Sequence, residues 1–376
     1  MSDTVKGPFR ADHVGSFLRP ERLKKARLQK NRGEITAEEL WEMENEEIKR
    51  LVDNQKEAGL KAVTDGEFRR AWFHLDFMKE VEGMEFVTLD KGLVFSGGTE
   101  TKAEGAKVTG KLSFGDHPVV KEYKFLHSIK GDHEARITIP SPSMFIFRTV
   151  TDEEKEFYSS ESELFADLVK VYKDTISALY DAGCRHLQFD DTTWSLFLEA
   201  EKDKDLVLSG GLLQARGLDP QETLELFVET VNEAIADKPN DMTITMHVCR
   251  GNYKSTYASS GSYDAVSEIM FKKLNVDALF LEFDDERSGG FEPLSHVERE
   301  DLYVVLGLIT SKFPELEEPD IIKNRIEEAG KYLRKEQLCL SPQCGFASTE
   351  EGNLLTEEEQ WAKVRHVVSI ANDVWK

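Results

Sequence analysis

Four side chains with metal-binding chemistry stand where separate strands of the chain are predicted to end. They are His247 and Cys249 in ThrIleThrMetHisValCys (243–249), Glu282 in AlaLeuPheLeuGlu (278–282), and Cys344 in SerProGlnCysGly (341–345). Side chains two residues apart on a strand point to the same side, so His247 and Cys249 can reach one ion. One imidazole, two thiolates and one carboxylate suit the tetrahedral coordination that zinc prefers. The pattern therefore predicts a zinc site.

The charge of this ligand set indicates which reaction the site would serve. Zn²⁺ with two thiolates and one carboxylate carries about one negative charge, which leaves electron density on an added sulfur. A site of three histidines would instead suit the activation of water. A free thiol, with a pKa near ~8.5, is mostly protonated at neutral pH, and zinc coordination favours its reactive form. We therefore expect an enzyme that activates a thiol for alkylation.

Short apolar segments alternate with amphipathic ones along the chain. The predicted strands span residues 9–14, 62–65, 136–140, 186–190, 243–247, 278–282, 302–308 and 338–341, and the predicted helices 37–58, 160–182, 220–236, 263–273, 319–334 and 357–374. Asp219 followed by Pro220 is typical of a helix start, and Gly59 and Gly183 stand where helices should end. Eight such units favour a (β/α)₈ TIM barrel, a single α/β domain over 1–376 with its active site at the carboxyl ends of the strands. An open doubly wound sheet is the alternative.

One region interrupts the alternation. Residues 80–134 are rich in glycine, threonine, valine and charge, and they show no helical period. We interpret them as an antiparallel β insertion between strands two and three. The insertion covers the barrel mouth, contacts a partner, or only decorates the surface, and the sequence does not decide among these three.

Composition narrows the class of protein. The chain is 40% hydrophobic, too apolar for a disordered protein, and its net charge of −23 argues against a nucleic-acid partner. No apolar run approaches the roughly 18 residues of a membrane span, and the first ten residues do not resemble a signal peptide. Four cysteines are too few for a disulfide framework. We expect a cytoplasmic protein without a membrane partner, in which Cys184 and Cys339 are buried as small apolar residues.

The order and context of the ligand residues resemble the cobalamin-independent methionine synthase family, specifically its catalytic barrel in single-barrel homologues. The segments ValGlySerPhe (14–17) and GlyGluPheArgArg (66–70) add to the resemblance. The resemblance implies that the four residues named above hold a catalytic zinc. It also implies that Val14, Gly15 and Ser16 hold the carboxylate of an amino-acid substrate, and that the catalytic pair Glu67 and Asp190 binds its ammonium group.

The function that the resemblance implies is methionine biosynthesis. A zinc-dependent S-methyltransferase would move a methyl group from 5-methyltetrahydrofolate to the thiol of homocysteine. Several aromatic side chains could stack on a folate pterin at the mouth, namely Trp72, Phe73, Phe145, Phe147 and Trp194. The alternatives are a related zinc barrel with another thiol acceptor or alkyl donor, a porphyrinogen-type decarboxylase, and a non-catalytic zinc protein. A decarboxylase gives no reason for the two cysteines, and the oligomeric state is not predicted.

The sequence also departs from the family pattern. The large enzymes place a histidine, the proposed proton donor, just after strand seven, where this chain reads GlyLeuIleThrSerLys (307–312) with Thr310 at about that position. The sequence therefore does not identify the group that protonates the donor as its methyl group is removed. The N-terminal half, which holds part of the folate tail in the large enzymes, is absent from the match, and Arg69, Arg70 and Arg148 are the candidates to replace it.

Overall fold

The computed structural model describes residues 7–198 and 211–376, so the predicted domain of 1–376 includes residues 1–6 and 199–210 that lie outside the described part. The strands are β1 (Ala62–Val63), β2 (Glu82–Thr88), β3 (Val94–Phe95), β4 (Thr99–Glu100), β5 (Glu104–Ser113), β6 (Glu134–Pro140), β7 (His186–Asp191), β8 (Thr243–Val248), β9 (Ala278–Glu282), β10 (Tyr303–Ile309) and β11 (Leu338–Pro342). The α-helices are α1 (Glu21–Asn31), α2 (Ala37–Glu57), α3 (Leu75–Met78), α4 (Val119–Ile129), α5 (Glu161–Asp181), α6 (Gly211–Arg216), α7 (Pro220–Ile235), α8 (Asp264–Lys273), α9 (Pro319–Ala329) and α10 (Glu357–Val374).

Seven of these strands form one parallel sheet in the order β1-β6-β7-β8-β9-β10-β11. Every residue of β7, β8 and β9 is buried, as expected for strands covered on both faces. Helices follow most of the strands along the chain. The α/β class is confirmed, and the sheet is consistent with a TIM-like barrel. Complete closure by eight strands stays a prediction.

The prediction of a regular strand over residues 9–14 was wrong. The segment makes one parallel bridge, Ala11 to Leu340 of β11, and the Asp12 amide donates to the Leu340 carbonyl at 2.9 Å. The Asp12 carboxylate accepts the amides of Phe9 at 2.9 Å and His13 at 2.8 Å, so local side-chain bonds replace a strand ladder.

Residues 9–17 nevertheless contact both edges of the sheet. Beyond the bridge to β11, the Thr64 hydroxyl, next to β1, donates to the Gly15 carbonyl at 2.6 Å. The His13 Nε2 atom lies 3.2 Å from the carbonyl oxygen of Ala62. The N-terminal segment therefore occupies the place between β11 and β1 that an eighth strand would take.

Local chemistry explains where several helices begin and end. The Asp219 side chain accepts the Glu222 amide at the start of α7, with Pro220 in the first turn, as predicted. Gly59 and Gly183 adopt φ of 91° and 98° just beyond α2 and α5, which confirms the predicted helix ends. Helix α1 was not predicted, because its sequence is mostly charged and buries only Leu23 and Ala26. No helix in the described residues is long and apolar enough to cross a bilayer.

The predicted insertion of residues 80–134 is β-structured only in its first part. Strands β2 and β5 pair antiparallel, and so do the short strands β3 and β4. The expectation that the whole region lacks helix was wrong, because α4 occupies Val119–Ile129. Its buried residues Val119, Tyr123 and Leu126 are spaced as one helical face, and α4 packs between α2 and α5. The β excursion therefore ends at Ser113.

A buried ion pair ties the N-terminal segment to the sheet. The Arg136 guanidinium of β6 donates to the Asp12 carboxylate at 2.8 Å and to the His13 carbonyl, and both side chains are fully buried. Loss of one partner would leave the other charge buried without compensation, which is strongly destabilising.

We expect Asp12→Ala to lower the free energy of unfolding by about 3–5 kcal/mol, measured by urea denaturation. The control is Asp174→Ala, which removes the exposed partner of Lys170 on α5 and should cost roughly 0.5 kcal/mol or less. The double variant Asp12→Ala, Arg136→Met should recover part of the loss. Similar stability for the Asp12 and Asp174 variants would show that the buried pair does not anchor the segment.

Candidate metal centre

The four predicted metal ligands come from the carboxyl ends of three strands. His247 is near the end of β8 and Cys249 directly follows that strand, while Glu282 is the last residue of β9. Cys344 lies two residues beyond the end of β11. Since parallel strands all end at the same rim of the sheet, these positions converge although they are far apart in sequence.

The structure brings all four side chains together. One ligand atom from each of His247, Cys249, Glu282 and Cys344 lies within 4.8 Å of the others, and all four residues are buried. The Cys249 and Cys344 sulfurs are 3.6 Å apart and do not form a disulfide. Neither ring nitrogen of His247 makes a hydrogen bond of acceptable geometry in the described residues. A buried imidazole with two unpaired nitrogens is unusual, and a metal ion would satisfy it.

The electrostatics of the cluster favour charged ligand atoms. Burial alone would lower the pKa of His247, but the Cys344 sulfur, Asp190 and Glu282 together raise it to about 9. The hydrogen bond between the two sulfurs lowers the pKa of Cys344 and raises the pKa of Cys249. Cys344 is therefore the more acidic of the two thiols.

The Glu282 carboxylate is oriented by contacts on both oxygens. The Arg250 amide donates to its Oε1 atom at 2.7 Å, and the Arg287 guanidinium lies 3.5 Å from its Oε2 atom. Arg287 lies equally far from Asp284, so one cation serves two buried carboxylates. Arg287 was not predicted, because the segment 284–289 has the composition of an ordinary polar loop.

A cavity of about 280 Å³ adjoins the cluster. We call it the carboxylate cavity, because Glu67 and Asp190 line it together with Val14, Ser16, Phe73, His247, Cys249, Cys344, Gly345 and Ser348. Gly15, predicted to contact substrate, does not line it. Its φ of 130° is in the left-handed region, and an added Cβ would lie 2.6 Å from the Thr138 methyl group. Gly15 therefore shapes the turn that presents its neighbours.

Glu67 is held in a strained backbone conformation. Its φ is 59°, rare for a residue with a side chain, and its amide donates to the Asp65 carboxylate at 2.9 Å. The Thr138 hydroxyl donates to its Oε1 atom at 3.0 Å, and the Arg19 guanidinium is 3.8 Å from its Oε2 atom. That Oε2 atom has no hydrogen-bond partner in the described residues, so it is available to a ligand.

Asp190 has an acidity unlike that of an ordinary carboxyl group. Burial and the neighbouring Glu67 raise its pKa to about 8, although Gln188 donates to its Oδ1 atom at 2.8 Å. Burial also raises the pKa of Glu67. Two adjacent carboxyl groups that both resist ionisation form a site that a cation would stabilise.

Asp191, the neighbour of Asp190, has a structural role. Its carboxylate accepts hydrogen bonds from the hydroxyl groups of Ser141 at 2.6 Å and Thr193 at 2.6 Å, and also from Ser143. It therefore joins the loops that follow β6 and β7, and it does not line the carboxylate cavity.

A second cavity, of about 560 Å³, adjoins the carboxylate cavity at Cys249, and we call it the aromatic cavity. It shares Phe73, Cys249 and Ser348 with the carboxylate cavity, and its other aromatic residues are Trp72, His74, Phe95, Phe147 and Tyr253. The expectation was wrong for Phe145 and Trp194, which are buried and line neither cavity.

The insertion contributes directly to the aromatic cavity. Leu93 and Phe95, next to and within β3, line it, and the Phe95 ring lies 5.5 Å from the ring of Tyr253. Of the three roles open for the insertion, covering the mouth is the one that these contacts support. Neither Phe95 nor Tyr253 was predicted, because Phe95 belongs to the insertion and Tyr253 lies within the loop after β8, beyond the strand end itself.

The three arginines proposed for a folate tail are engaged elsewhere, so that expectation was wrong. Each donates hydrogen bonds to partners within the fold, at distances of 2.9 Å for Arg69, 2.6 Å for Arg70 and 2.6 Å for Arg148. The partners are Glu44 for Arg69, the Thr138 carbonyl for Arg70, and Glu154 with Glu161 for Arg148.

The segment after β10 also differs from the sequence-based expectation. Thr310 lines neither cavity, and its amide donates to Glu317 at 2.8 Å. Lys312 is instead the buried group, and its ammonium donates to the Asn252 side-chain oxygen at 3.3 Å. Asn252 in turn donates to the carbonyl of Gly345, beside the Cys344 ligand, at 2.8 Å.

With this geometry in place, comparison with known proteins assigns the family. The family model described as the catalytic domain of the cobalamin-independent synthase matches residues 9–373. The chain belongs to the cobalamin-independent methionine synthase family. A relative in this family, the uncharacterized protein YxjG of Bacillus subtilis, is 57% identical over 372 residues, which cover 99% of this chain and 96% of YxjG.

Solved structures agree with this family assignment. A protein from Listeria monocytogenes, provisionally assigned as a vitamin-B12 independent methionine synthase, is 43% identical and matches over 98% of each chain with a TM-score of 0.78. A B12-independent methionine synthase from Shewanella sp. W3-18-1, in complex with selenomethionine, has a TM-score of 0.72 over 97% of each chain. Its identity of 19% shows a shared fold only. The resemblance drawn from the sequence is thus confirmed.

The close packing of Gly345 against Ser16 gives a test of the site geometry. An added Cβ at Gly345 would lie 1.9 Å from the Ser16 hydroxyl oxygen and 3.1 Å from its Cβ, so the loop that carries Cys344 must shift. We expect Gly345→Ala to weaken zinc binding about tenfold or more, measured by chelator competition. The control, Gly110→Ala, meets its nearest atom at 3.4 Å. Equal zinc affinity in both variants would mean that Ser16 moves aside without disturbing Cys344.

Proposed function

We propose that this chain is a zinc-dependent methyltransferase that moves a methyl group onto the thiol of homocysteine and so forms methionine. The observation that carries the proposal is the convergence of His247, Cys249, Glu282 and Cys344 within 4.8 Å, beside a cavity lined by two buried carboxyl groups. Membership of the cobalamin-independent methionine synthase family supports the same reaction.

The donor set fits zinc in number and kind. Two sulfurs, one imidazole and one carboxylate make four ligands, and the unpaired nitrogens of His247 provide the imidazole. Bound zinc would favour the deprotonated form of an added thiol at neutral pH. The protein also orients the carboxylate ligand, because the Arg250 amide and the Arg287 guanidinium contact Glu282.

The carboxylate cavity has the complementary groups for an amino acid. The carboxyl groups of Glu67 and Asp190 would ionise beside an incoming ammonium group, since burial raises the pKa of both although the Arg19 guanidinium lies 3.8 Å from Glu67. The Ser16 hydroxyl and the backbone of Val14 and Ser16, presented by the turn at Gly15, are proposed to hold the substrate carboxylate. The Shewanella relative binds selenomethionine, which has the skeleton of the proposed product.

In the proposed reaction, the donor and the acceptor occupy two adjoining cavities that share one metal ligand. Cys249 lines both cavities, so a donor in the aromatic cavity would meet a thiol held from the carboxylate cavity. A non-catalytic zinc site is typically enclosed by its four ligands, without cavities on two sides. That the donor is 5-methyltetrahydrofolate stays a prediction from the family resemblance. Its support is weaker because Arg69, Arg70 and Arg148, the candidates for binding the folate tail, are bonded within the fold.

The central test combines metal content, thiol binding and product. Zinc-loaded protein should bind homocysteine with release of a proton, measured by calorimetry in two buffers of different ionisation enthalpy. It should then form methionine with at least one methyl donor of a panel. Zinc binding without any proton release on thiol addition would instead support a storage or structural role.

Substitution of one sulfur ligand should separate a catalytic metal from a structural one. We expect Cys344→Ser to lose zinc and methyl transfer while the far-ultraviolet circular dichroism and unfolding midpoint change little, because Cys344 is on a loop beyond β11. Cys339→Ala is the matched control, a buried cysteine of the same strand outside the cluster, and it should retain zinc. Global unfolding of the serine variant would indicate a structural metal.

A second substitution tests the proposed ammonium site. We expect Asp190→Asn to weaken homocysteine binding by about tenfold or more, since a hydrogen bond to a charged group contributes roughly 1.5–3 kcal/mol. Zinc content should not change. The control ligand is 4-mercaptobutanoate, which lacks the amino group and should bind wild type and variant alike. An unaltered homocysteine affinity would remove Asp190 from the substrate site.

A further inference from the structure

We propose that the aromatic cavity binds a methyl donor with a permanent positive charge, either a methylsulfonium or a quaternary methylammonium compound. This inference rests on the proposed function, because it names the donor class for the same methyl transfer. It concerns the cavity that shares Cys249 with the carboxylate cavity.

The lining of the cavity offers several aromatic faces. Trp72, Phe73, Phe95, Phe147 and Tyr253 all contribute, and they come from the insertion and from three separate loops. The indole nitrogen of Trp72 donates to the Glu104 carboxylate at 2.6 Å, which increases the electron density of the ring. Aromatic faces attract onium groups through their quadrupoles, most strongly where the site is shielded from water.

The charge distribution favours a diffuse cation over an anion. The described residues that line the cavity include no lysine, arginine, aspartate or glutamate side chain. Lys254, whose ammonium is 5.2 Å from the Tyr253 ring centroid, is exposed and does not line the cavity. A folate donor carries carboxylates, for which the lining provides no cationic partner. An onium group spreads its charge over methyl groups and needs no carboxylate partner.

The lining also bears on how the donor leaves. Its only imidazole or carboxyl group, among the described residues, is His74, and burial lowers the pKa of His74 to about 4. The imidazole is therefore neutral at pH 7. An uncharged tertiary amine such as the N5 centre of a methylfolate must gain a proton before its carbon–nitrogen bond breaks, and neutral His74 is a weak acid for that step.

An onium donor removes the need for this proton. The electron pair of the homocysteine thiolate forms the new sulfur–carbon bond. The electron pair of the breaking carbon–sulfur or carbon–nitrogen bond stays with the donor, which leaves as a neutral sulfide or tertiary amine. Charge balances, because one anion and one cation give two neutral products. The reaction requires only that the cavity holds the onium methyl group against the thiolate.

A pair of isosteric probes tests the binding site directly. Zinc-loaded protein is titrated by calorimetry with choline, with trimethylsulfonium, and with 3,3-dimethylbutan-1-ol, the uncharged carbon analogue of choline. We expect choline or trimethylsulfonium to bind about tenfold more tightly than the carbon analogue. Equal or weaker binding of both cations would overturn the inference.

Single-ring variants show whether the aromatic faces cause the preference. Phe95→Leu and Tyr253→Leu keep an apolar lining, and each should reduce the preference for the cation severalfold while binding of the carbon analogue changes little. Phe86→Leu is the matched control, since Phe86 is an exposed aromatic residue of the same insertion on β2. A cation preference that survives both cavity variants would place the binding site elsewhere.

A donor panel separates failure of this inference from failure of the proposed function. Methyl-deuterated sulfonium, quaternary ammonium and 5-methyltetrahydrofolate donors are each incubated with homocysteine and the zinc-loaded protein, and labelled methionine is measured. Label from the sulfonium or the ammonium donor supports the inference and identifies the source. Label from the folate alone overturns it and sustains the proposed function. A cation preference without methionine from any donor would sustain the onium site and refute homocysteine methylation.

Discussion

The structure depends on one constraint, which is that parallel strands end at a common rim. His247, Glu282 and Cys344 lie on or just beyond β8, β9 and β11, and the sheet alone brings them within 4.8 Å of one another and of Cys249. Those strands are buried along their length, so the polar cluster is supported by a rigid apolar sheet. A buried group of two thiols, a carboxylate and an unpaired imidazole costs free energy unless a ligand satisfies it. The cluster without a ligand therefore lowers the stability of the fold.

The same rim explains which parts of the site could be predicted from the sequence. A residue that ends an apolar strand has a predictable position, so the four candidate ligands and Asp190 were found without coordinates. Long-range side-chain contacts were beyond the sequence, because nothing local shows that Glu154 will pair with Arg148 or that Phe95 will reach Tyr253. The error at residues 9–14 has a local cause, the Asp12 carboxylate that accepts two nearby amides. The missed helix α4 does show a helical period, but the glycine- and threonine-rich composition around it obscured that signal.

Two cavities of opposite chemistry meet at Cys249. One presents the buried carboxyl groups of Glu67 and Asp190, and the other presents aromatic rings without charged side chains. In the proposed reaction, this arrangement would keep a polar acceptor and an apolar or diffusely charged donor apart except at the shared wall. The insertion completes this division, since Phe95 comes from its β3 strand. An elaboration of the barrel therefore takes part in the site, and the bare (β/α) framework would leave the aromatic cavity open on that side.

Charged side chains around the metal cluster add to the difference between the two cavities. The proposed ligand set carries about one net negative charge with zinc, and an added thiolate makes that about two. Two buried cations lie close by, Arg287 beside Glu282 and Lys312 bonded to Asn252 next to the Cys344 loop. Arg287 contacts the ligand Glu282 itself, and Lys312 contacts Asn252 beside the Cys344 loop, so both cations offset negative charge near the cluster. Lys312 reaches the edge of the aromatic cavity only through Asn252, and the described lining of that cavity contains no charged side chain, so the proposed attraction of a cation rests on the aromatic rings.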